Sequence, residues 1–237
     1  MRPLTIFRHI ACEGPGYLAE ILQRHAVPWR LVRVDQGEAI PDTLDDCSGL
    51  VFMGGPMSVN DSAPWIEQEL ALIRLAQAQA MPVLGHCLGG QLISKALGGA
   101  VGANPVREIG WHSVRKSRTS AAASWLTGLP DEMTLFHWHG ETFSIPEGAE
   151  LILENDHCAR QAFVLGNTLA LQCHIEMLEP MVSEWAALYE QELQQTSNSV
   201  QSAAQMTTDL PAKISAAQQV ADHVYLRWLS PLLSKTS

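Results

Sequence analysis

The chain has 237 residues, of which 46% are hydrophobic and 17% are charged. This composition supports a packed core and excludes a disordered chain, because disordered chains are poor in apolar residues and rich in charge. The formal net charge of −10 argues against nucleic acid as the main partner, since phosphate groups bind basic surfaces.

The N-terminal segment and the cysteines indicate the compartment. The run MRPLTIFRHI lacks the apolar core and cleavage site of a signal peptide. No apolar stretch of about 18 residues occurs, so we expect no membrane span. The five cysteines are an odd number without a paired short spacing, which favours a reducing compartment over a disulfide scaffold. We therefore expect a soluble, cytoplasmic protein.

Strand-like and helix-like segments alternate through the first hundred residues. The apolar runs LTIFRHI, WRLVRVD, GLVFMGG and PVLGHC predict strands, and a helix is predicted near residues 16–25. A second helix is predicted to begin near Pro64, with four apolar residues on one face: Ile66, Leu70, Ile73 and Ala76. Short apolar strands that alternate with helices indicate a parallel sheet covered on both faces.

The pattern changes after about residue 101. Strand candidates separated by turn signals continue to residue 176, and we expect them to extend the sheet in partly antiparallel fashion. The rest is mostly helical, apart from a polar segment, 194–209, that we interpret as a mobile connection. The last amphipathic helix carries Ile214, Ala217, Ala221, Val224 and Trp228 on one face.

These patterns predict an α/β fold with an open, mostly parallel sheet flanked by helices. We expect residues 1–185 to form the main domain. Residues 186–237 would form a helical C-terminal extension, packed on that domain or linked to it. The tryptophan-containing helices of this extension are interpreted as packing elements, with a dimer surface or a docking face for a partner as the alternative.

The segment PVLGHCLGGQ places a cysteine where a strand becomes a helix. Cys87 lies between Gly85 and Gly89, which is the cysteine form of a nucleophile elbow. Unpaired N–H groups at the helix start would favour the thiolate, and the N–H of Leu88 would point towards a developing oxyanion. A buried structural cysteine on a glycine-rich strand end fits the pentapeptide as well.

The segment LALQCHIEM supplies a base and a partner for it. His174 and Glu176 are two residues apart at the end of an apolar run, so in a strand both side chains would point to one face. Glu176 could then hold the imidazole in one tautomer while its other nitrogen faces the cysteine. Taken alone, the pair also fits a half-buried strand end with incidental polar residues.

A Gly-Gly-Pro loop follows another buried strand. In an open parallel sheet, ligands bind beyond the carboxyl ends of the strands, where this loop and the elbow both lie. Glycine permits a close approach of the backbone, so the N–H of Gly55 is predicted to be a second oxyanion donor. The alternative is an ordinary tight turn.

Taken together, these motifs resemble those of the class I (triad) glutamine amidotransferase family. The matching elements are the Gly-Gly-Pro loop, an elbow with Gln91 four residues after the cysteine, and the distal His-x-Glu. Their order and separations match over roughly residues 45 to 180. The segments EIGWHSV and FHWHGETFSIP are similar to those of stand-alone members related to the glutaminase part of GMP synthetase.

The resemblance implies the flavodoxin-like three-layer fold of that family and hydrolysis of the glutamine side-chain amide. Cys87 would form a γ-glutamyl thioester and release ammonia, with His174 as base and then acid and Glu176 orienting it. Gly55 and Leu88 would form the oxyanion hole. The residues implied in substrate binding are Gln91, which would contact glutamine, and His137, Trp138 and His139, which would line its α-amino and α-carboxylate end. No metal or organic cofactor is implied.

The sequence departs from the family pattern in two respects. Cys173 and Ile175 flank the histidine, where an aromatic residue and a proline are usual. The chain also has no synthetase or acceptor region, so released ammonia would pass to a separate synthetase or acceptor protein. A homodimer is a further open possibility.

Three alternative interpretations remain open from the sequence. A γ-glutamyl peptide hydrolase would use the same triad and differ only in the leaving group. A catalytically silent binding module could share the fold, although it would not need all three triad residues. His137, His139 and Glu141 alternate as metal ligands do, but three are too few for a typical structural site.

Overall fold

The computed structural model describes residues 1–234 and contains one nine-stranded sheet. Its strand order is β2-β1-β3-β4-β9-β8-β7-β5-β6. The strands are β1 (Leu4–Arg8), β2 (Trp29–Arg33), β3 (Gly49–Phe52), β4 (Val83–His86), β5 (Val101–Lys116), β6 (Glu132–Phe143), β7 (Glu150–Glu154), β8 (Ala162–Leu165) and β9 (Thr168–Leu171). Pairing is parallel from β2 to β9 and antiparallel from β9 to β6.

Helices cover both faces of this sheet. They are α1 (Gly16–Arg24), α2 (Pro64–Ala78), α3 (Leu88–Ala96), α4 (Ser120–Trp125), α5 (Glu179–Leu188), α6 (Ala203–Thr207) and α7 (Leu210–Leu233), with short 3-10 helices at Val34–Gln36 and Glu190–Leu193. One apolar core joins the sheet to α1, α5 and α7, and the other joins it to α2 and α3.

The alternation of side chains along each strand explains the two cores. Ile6 faces the α1 side and its neighbour Phe7 the α2 side, and Val51 and Phe52 divide in the same way. Both faces are buried, which is why these strands are apolar at nearly every position. The three-layer α/β fold expected from the sequence is confirmed.

The predicted helices are largely confirmed. The second helix begins at Pro64, and all four apolar residues predicted for one face are buried. The five residues predicted on the last helix are buried against the same core as the central strands. That helix face is therefore a packing surface in this chain.

The polar segment 194–209 is more ordered than expected. Val200 forms a parallel bridge with Ile109 of β5, and α6 begins with a capping box between Ser202 and Gln205. The segment thus runs along the sheet before α7 begins. Within residues 1–234, no helix is long and apolar enough to cross a membrane.

Candidate active site

Cys87 occupies a strained turn between β4 and α3. Its φ and ψ are 48° and −105°, a conformation that non-glycine residues rarely adopt. The turn holds the sulfur at the carboxyl end of the central strands, where Cys87 lines a cleft although only 6% of the residue is exposed. The backbone N–H of Cys87 donates to the carbonyl of Leu171 on β9, which fixes the turn to the neighbouring strand.

The elbow requires its flanking glycines because backbone passes against them. A Cβ on Gly85 would lie 2.3 Å from the carbonyl carbon of Gly89, and one on Gly89 would lie 2.0 Å from the carbonyl oxygen of Phe52. Neither backbone atom can move aside without shifting a strand or the helix. Close packing of α3 on the sheet therefore requires glycine at both of these positions.

His174 and Glu176 meet as the sequence suggested, but they do not lie in a strand. β9 ends at Leu171, and His174 forms only an isolated bridge with Phe136 of β6. The side chains are still joined directly: His174 Nδ1 is 2.6 Å from Glu176 Oε1. The prediction of this contact was therefore right but its reason was wrong. The bend after β9, and not the alternation of side chains along a strand, brings His174 and Glu176 together.

The electrostatics of this pair match a charged imidazole beside a carboxylate. Burial alone would lower the pKa of His174, but Glu176 and the contact with Cys87 raise it well above its usual value. Burial alone would raise the pKa of Glu176, but His86 and His174 lower it to about 2. Glu176 is therefore ionised at neutral pH and favours a proton on His174.

Two groups lie within hydrogen-bonding distance of the sulfur of Cys87. Gln172 Nε2 lies 3.6 Å from the sulfur, and the carbonyl oxygen of Trp138 lies 3.8 Å from it. Gln91 donates from Nε2 to Gln172 Oε1 at 3.3 Å and to the carbonyl of Glu141 at 3.3 Å. Gln91 thus orients the amide that donates to the sulfur, while also lining the cleft.

The two residues predicted as oxyanion donors are Leu88 at the start of α3 and Gly55 in the loop after β3. Leu88 is the first residue of α3, so its N–H has no acceptor within the helix. Gly55 lines the same cleft as Cys87, and a Cβ there would lie 2.9 Å from the Leu88 side chain. Glycine at position 55 therefore lets the loop close against the start of α3.

Behind Glu176, the C-terminal helix reaches the site. His86 Nε2 shares a 2.8 Å hydrogen bond with the hydroxyl of Tyr225 on α7 and lies 3.7 Å from Glu176 Oε2. Burial lowers the pKa of His86 more than Glu176 raises it, so His86 is neutral at pH 7. His86 and Tyr225 are 139 positions apart, so no local sequence pattern indicates this contact.

His137 and His139 differ in position, although both come from β6. His139 lines the cleft, whereas His137 is fully buried behind the wall, and within residues 1–234 neither of its ring nitrogens has a hydrogen-bond partner. Burial lowers the pKa of His137 to about 3. His137 therefore contacts the cleft only through its neighbours, whereas Trp138 lines it directly.

Glu108, His137 and His139 form a cluster whose ligand atoms lie within 4.8 Å of one another. The Glu108 carboxylate already accepts hydrogen bonds from the amides of Asn155 and Gln161. His139 is 3.0 Å from Glu108 through Nε2 and 3.0 Å from the Glu141 carbonyl through Nδ1. Both His139 ring nitrogens therefore already have polar partners within the protein.

The cleft in front of Cys87 has a volume of about 550 Å³. Cys87, Gln91, Trp138 and His139 line it together with residues that the sequence analysis did not single out, among them Glu13, Arg107, Tyr189 and Glu192. Arg107 and Glu192 form an ion pair at its rim, with 2.7 Å between Nη1 and Oε2. Glu13 could have been suspected from the sequence only because it is a polar residue that soon follows the buried strand β1.

Comparison with known proteins agrees with this fold. The family profile described as "Glutamine amidotransferase class-I" matches residues 17–180, so the chain belongs to the class I glutamine amidotransferase family. The crystal structure of a glutamine amidotransferase from Methylobacillus flagellatus shares 45% sequence identity, with a TM-score of 0.93 over 97% of this chain and 95% of that one.

Curated relatives are similar over different lengths. The glutamine amidotransferase-like protein YfeJ of Salmonella typhimurium is 31% identical over 71% of this chain and 72% of its own length. Gamma-glutamyl peptidase 3 of Arabidopsis thaliana is 27% identical over 66% of each chain. A glutamine-hydrolysing GMP synthase of Caldicellulosiruptor saccharolyticus is 33% identical, but over only 48% of this chain and 21% of that enzyme. The resemblance stated from the motifs is thereby confirmed.

Proposed function

We propose that this chain is a glutamine amidotransferase-type hydrolase that cleaves the glutamine side-chain amide with a Cys87–His174–Glu176 triad. The observation that carries the proposal is the strained cysteine turn open to a cleft, beside a buried histidine held 2.6 Å from a carboxylate. Such a set activates a thiol for attack on an acyl group. Family membership makes the glutamine amide the expected acyl group.

In the proposed reaction, the sulfur of Cys87 attacks the side-chain carbonyl carbon, and the carbonyl electrons move to oxygen. The N–H groups of Gly55 and Leu88 stabilise that oxyanion, an effect worth about 3 kcal/mol per donor. His174 then gives its proton to the amide nitrogen, the carbon–nitrogen bond breaks, and ammonia leaves a γ-glutamyl thioester. Water, deprotonated by His174, attacks the thioester and releases glutamate and the thiolate.

The other residues would support these steps without reacting. Glu176 holds the His174 ring and stabilises its charge, and Gln172 donates to the sulfur. We assign Gln91, Trp138 and His139 to substrate contact because they line the cleft, and His137 to support of that wall. A separate synthetase or acceptor protein would receive the ammonia.

The test is turnover by the purified protein. Wild type incubated with glutamine should release ammonia and glutamate in equal amounts, and Cys87→Ala should release neither while unfolding at a similar temperature. An unchanged rate in Cys87→Ala would contradict the proposal. If wild type is also silent, labelling of Cys87 by a glutamine-like electrophile distinguishes a partner-dependent enzyme from a binding module.

A second candidate, a γ-glutamyl peptide hydrolase, is favoured by the size of the cleft. A volume of about 550 Å³ lies within the range of sites for drug-sized ligands, which is more space than glutamine alone requires. One relative is described as a gamma-glutamyl peptidase. A higher kcat/KM for γ-glutamyl dipeptides than for glutamine would select this candidate, and the reverse order would select the glutaminase.

A further inference from the structure

Glu13 lies on the cleft wall beside the proposed base. It belongs to the loop between β1 and α1, is 7% exposed, and lines the cleft with Cys87. A Cβ on Gly54 would lie 2.0 Å from Glu13 Oε2 and 3.3 Å from His174 Cε1. The carboxyl group and the edge of the imidazole therefore meet above the same glycine, and the absence of a side chain on Gly54 makes room for them.

The Glu13 carboxyl accepts no hydrogen bond from another residue in the part of the chain that the structure describes. The basic groups near it have other partners. His174 is bonded to Glu176, and His9 is held between the carbonyl of Met53 and the carboxylate of Glu69. Buried carboxylates are normally paired, so this one has acceptor capacity that the chain itself does not use.

The loop that carries Glu13 is fixed at both ends. His9 anchors its start, as described above. At its other end, the N–H of Tyr17 donates to the carbonyl of Glu176 at 2.8 Å, and Gly16, with φ of +47°, passes against that same carbonyl. Between them, Trp185 Nε1 donates to the carbonyl of Cys12. The carboxyl is thus positioned in advance, as a group that contacts substrate should be.

Burial of the ionised Glu13 carboxylate lowers the stability of the folded protein. Burial raises the pKa of Glu13 to about 7; His174 and His9 oppose the rise, and Glu176 adds to it. Ionising the group in the folded state therefore destabilises the protein at neutral pH. Titratable groups in such positions concentrate at functional sites, where stability is given up for activity.

The proposed reaction places one particular atom beside Glu13. His174 has to reach the amide nitrogen in order to protonate it, so this nitrogen lies at the imidazole edge of the cleft. The nitrogen still carries N–H bonds and gains positive character as the carbon–nitrogen bond breaks. A carboxylate at this point can accept one of those N–H groups and stabilise that charge.

We propose that Glu13 binds the leaving nitrogen of the substrate by accepting a hydrogen bond from its N–H, an inference that rests on the proposed function. His174 supplies the proton, the electron pair of the broken carbon–nitrogen bond stays on nitrogen, and Glu13 gains and loses no proton. The substrate class is accordingly γ-glutamyl amides, whether the amine released is ammonia or a larger primary amine. γ-Glutamyl esters lack the N–H and would gain nothing from Glu13.

The experiment compares glutamine with glutamate γ-methyl ester, which has the same acyl group and a leaving oxygen without hydrogen. kcat/KM is measured because it reports acylation, the step in which the leaving group departs. The variants are Glu13→Met, which removes the acceptor at similar size, and Glu13→Gln, which keeps an oxygen without the charge. Glu20→Gln, on the exposed side of α1, is the matched control.

Glu13→Met should lower kcat/KM for glutamine by about 10- to 100-fold more than for the ester, as expected for a charge-assisted hydrogen bond. Glu13→Gln should shift the same ratio in the same direction by less, and it decides the matter if the methionine variant fails to fold. Glu20→Gln should leave the ratio unchanged. Equal losses on both substrates, or no loss, would overturn the assignment of Glu13. A wild type that is inactive on both substrates, and whose Cys87 a glutamine-like electrophile does not label, would instead reject the proposed function, and the inference with it.

Discussion

At the scale of single residues, Cys87 is held in a conformation that stores strain. Its φ of 48° and ψ of −105° are poorly tolerated by any residue with a Cβ, at a cost of order 1–3 kcal/mol. Glycine adopts positive φ without this penalty. The strained turn places the sulfur at the carboxyl end of the central strands.

We predict that Cys87→Gly is more stable than Cys87→Ala by about 1 kcal/mol. Both variants lack the thiol, so the difference in their free energies of unfolding isolates the strain from the loss of the sulfur. Urea unfolding at pH 7 measures that difference, and neither variant should hydrolyse glutamine. An alanine variant at least as stable as the glycine variant would show that the turn is unstrained.

Glu13 predicts a dependence of stability on pH. Its pKa is raised from 4.5 to about 7 in the folded state. An acid with a raised folded pKa binds more protons when folded, so its contribution to stability falls as pH rises from about 4.5 to 7 and stays low above that. At about 1.4 kcal/mol per pKa unit, the whole fall is ~3 kcal/mol.

Glu13→Gln should therefore be more stable than wild type at pH 8, and this advantage should shrink by ~3 kcal/mol when both proteins are unfolded in urea at pH 4.5. Subtracting wild type from variant cancels most of the titration of other groups. An advantage that does not change with pH would mean that Glu13 titrates normally in the folded protein.

The residues that local motifs could predict are those close together in the sequence. Cys87 was found from its two glycines, and the His174–Glu176 contact from a spacing of two. Glu13 and Gln172 were missed because no motif assigns either side chain to the cleft, although Gln172 stands only two residues before His174. Their contacts exist only once the loop after β1 and the bend after β9 lie side by side, which no local pattern encodes.

At the scale of elements, α3 packs on the sheet through glycines rather than large side chains. A Cβ on Gly89 would meet the carbonyl of Phe52 on β3, and one on Gly90 would lie 2.4 Å from the carbonyl of Leu171 on β9. The helix therefore rests directly on the strand backbone. This close approach puts its first N–H groups at the level of the cleft.

Gly89→Ala should destabilise the protein although alanine is the better helix former by about 1 kcal/mol. The contact is with backbone, so the added methyl group forces α3 away from β3, at about 1–3 kcal/mol or more. Gly102→Ala, on β5 with open space at its Cβ position, is the control and should be neutral or stabilising. Thermal unfolding of both variants measures the effect. A melting temperature for Gly89→Ala at or above that of wild type would show that α3 has room to shift.

The order of the strands and helices was predictable, because apolar runs and the glycines and prolines between them are local signals. The residues at which each strand or helix ends were harder to predict. The run LALQCHIE was predicted as one strand, but pairing stops at Leu171. The chain bends there so that Gln172 can approach the sulfur and His174 can bridge to β6. Tertiary contacts at the site thus override an apolar pattern that continues past the strand end.

At the scale of the whole molecule, α7 belongs to the same structure as the site. Trp228 of α7 donates to the carbonyl of Val83 on β4, and Tyr225 bonds to His86 on the same strand. The division at residue 185 suggested by the sequence therefore separates residues that share one apolar core. The side chains of Tyr225 and His86 connect this last helix to Glu176.

That link predicts different outcomes for the loss of two tyrosine hydroxyls. Tyr225 of α7 bonds to His86 of β4, whereas Tyr17 of α1 bonds to Asp222 of α7. In Tyr225→Phe, buried His86 loses its partner, so stability should fall by about 1–3 kcal/mol. His86 would also be free to turn away from Glu176, so kcat for glutamine should fall several-fold with KM nearly unchanged, because in the proposed mechanism Glu176 stabilises the His174 charge in the transition state.

Tyr17→Phe is the control, since its hydroxyl donates to Asp222 of α7 at 3.1 Å, between α1 and α7. It should lose some stability and keep wild-type kcat. Steady-state kinetics and thermal unfolding of both variants make the comparison. If both lose stability and neither loses kcat, then α7 only supports the sheet. If kcat falls in Tyr225→Phe alone, the C-terminal helix takes part in holding His86 and Glu176 in place.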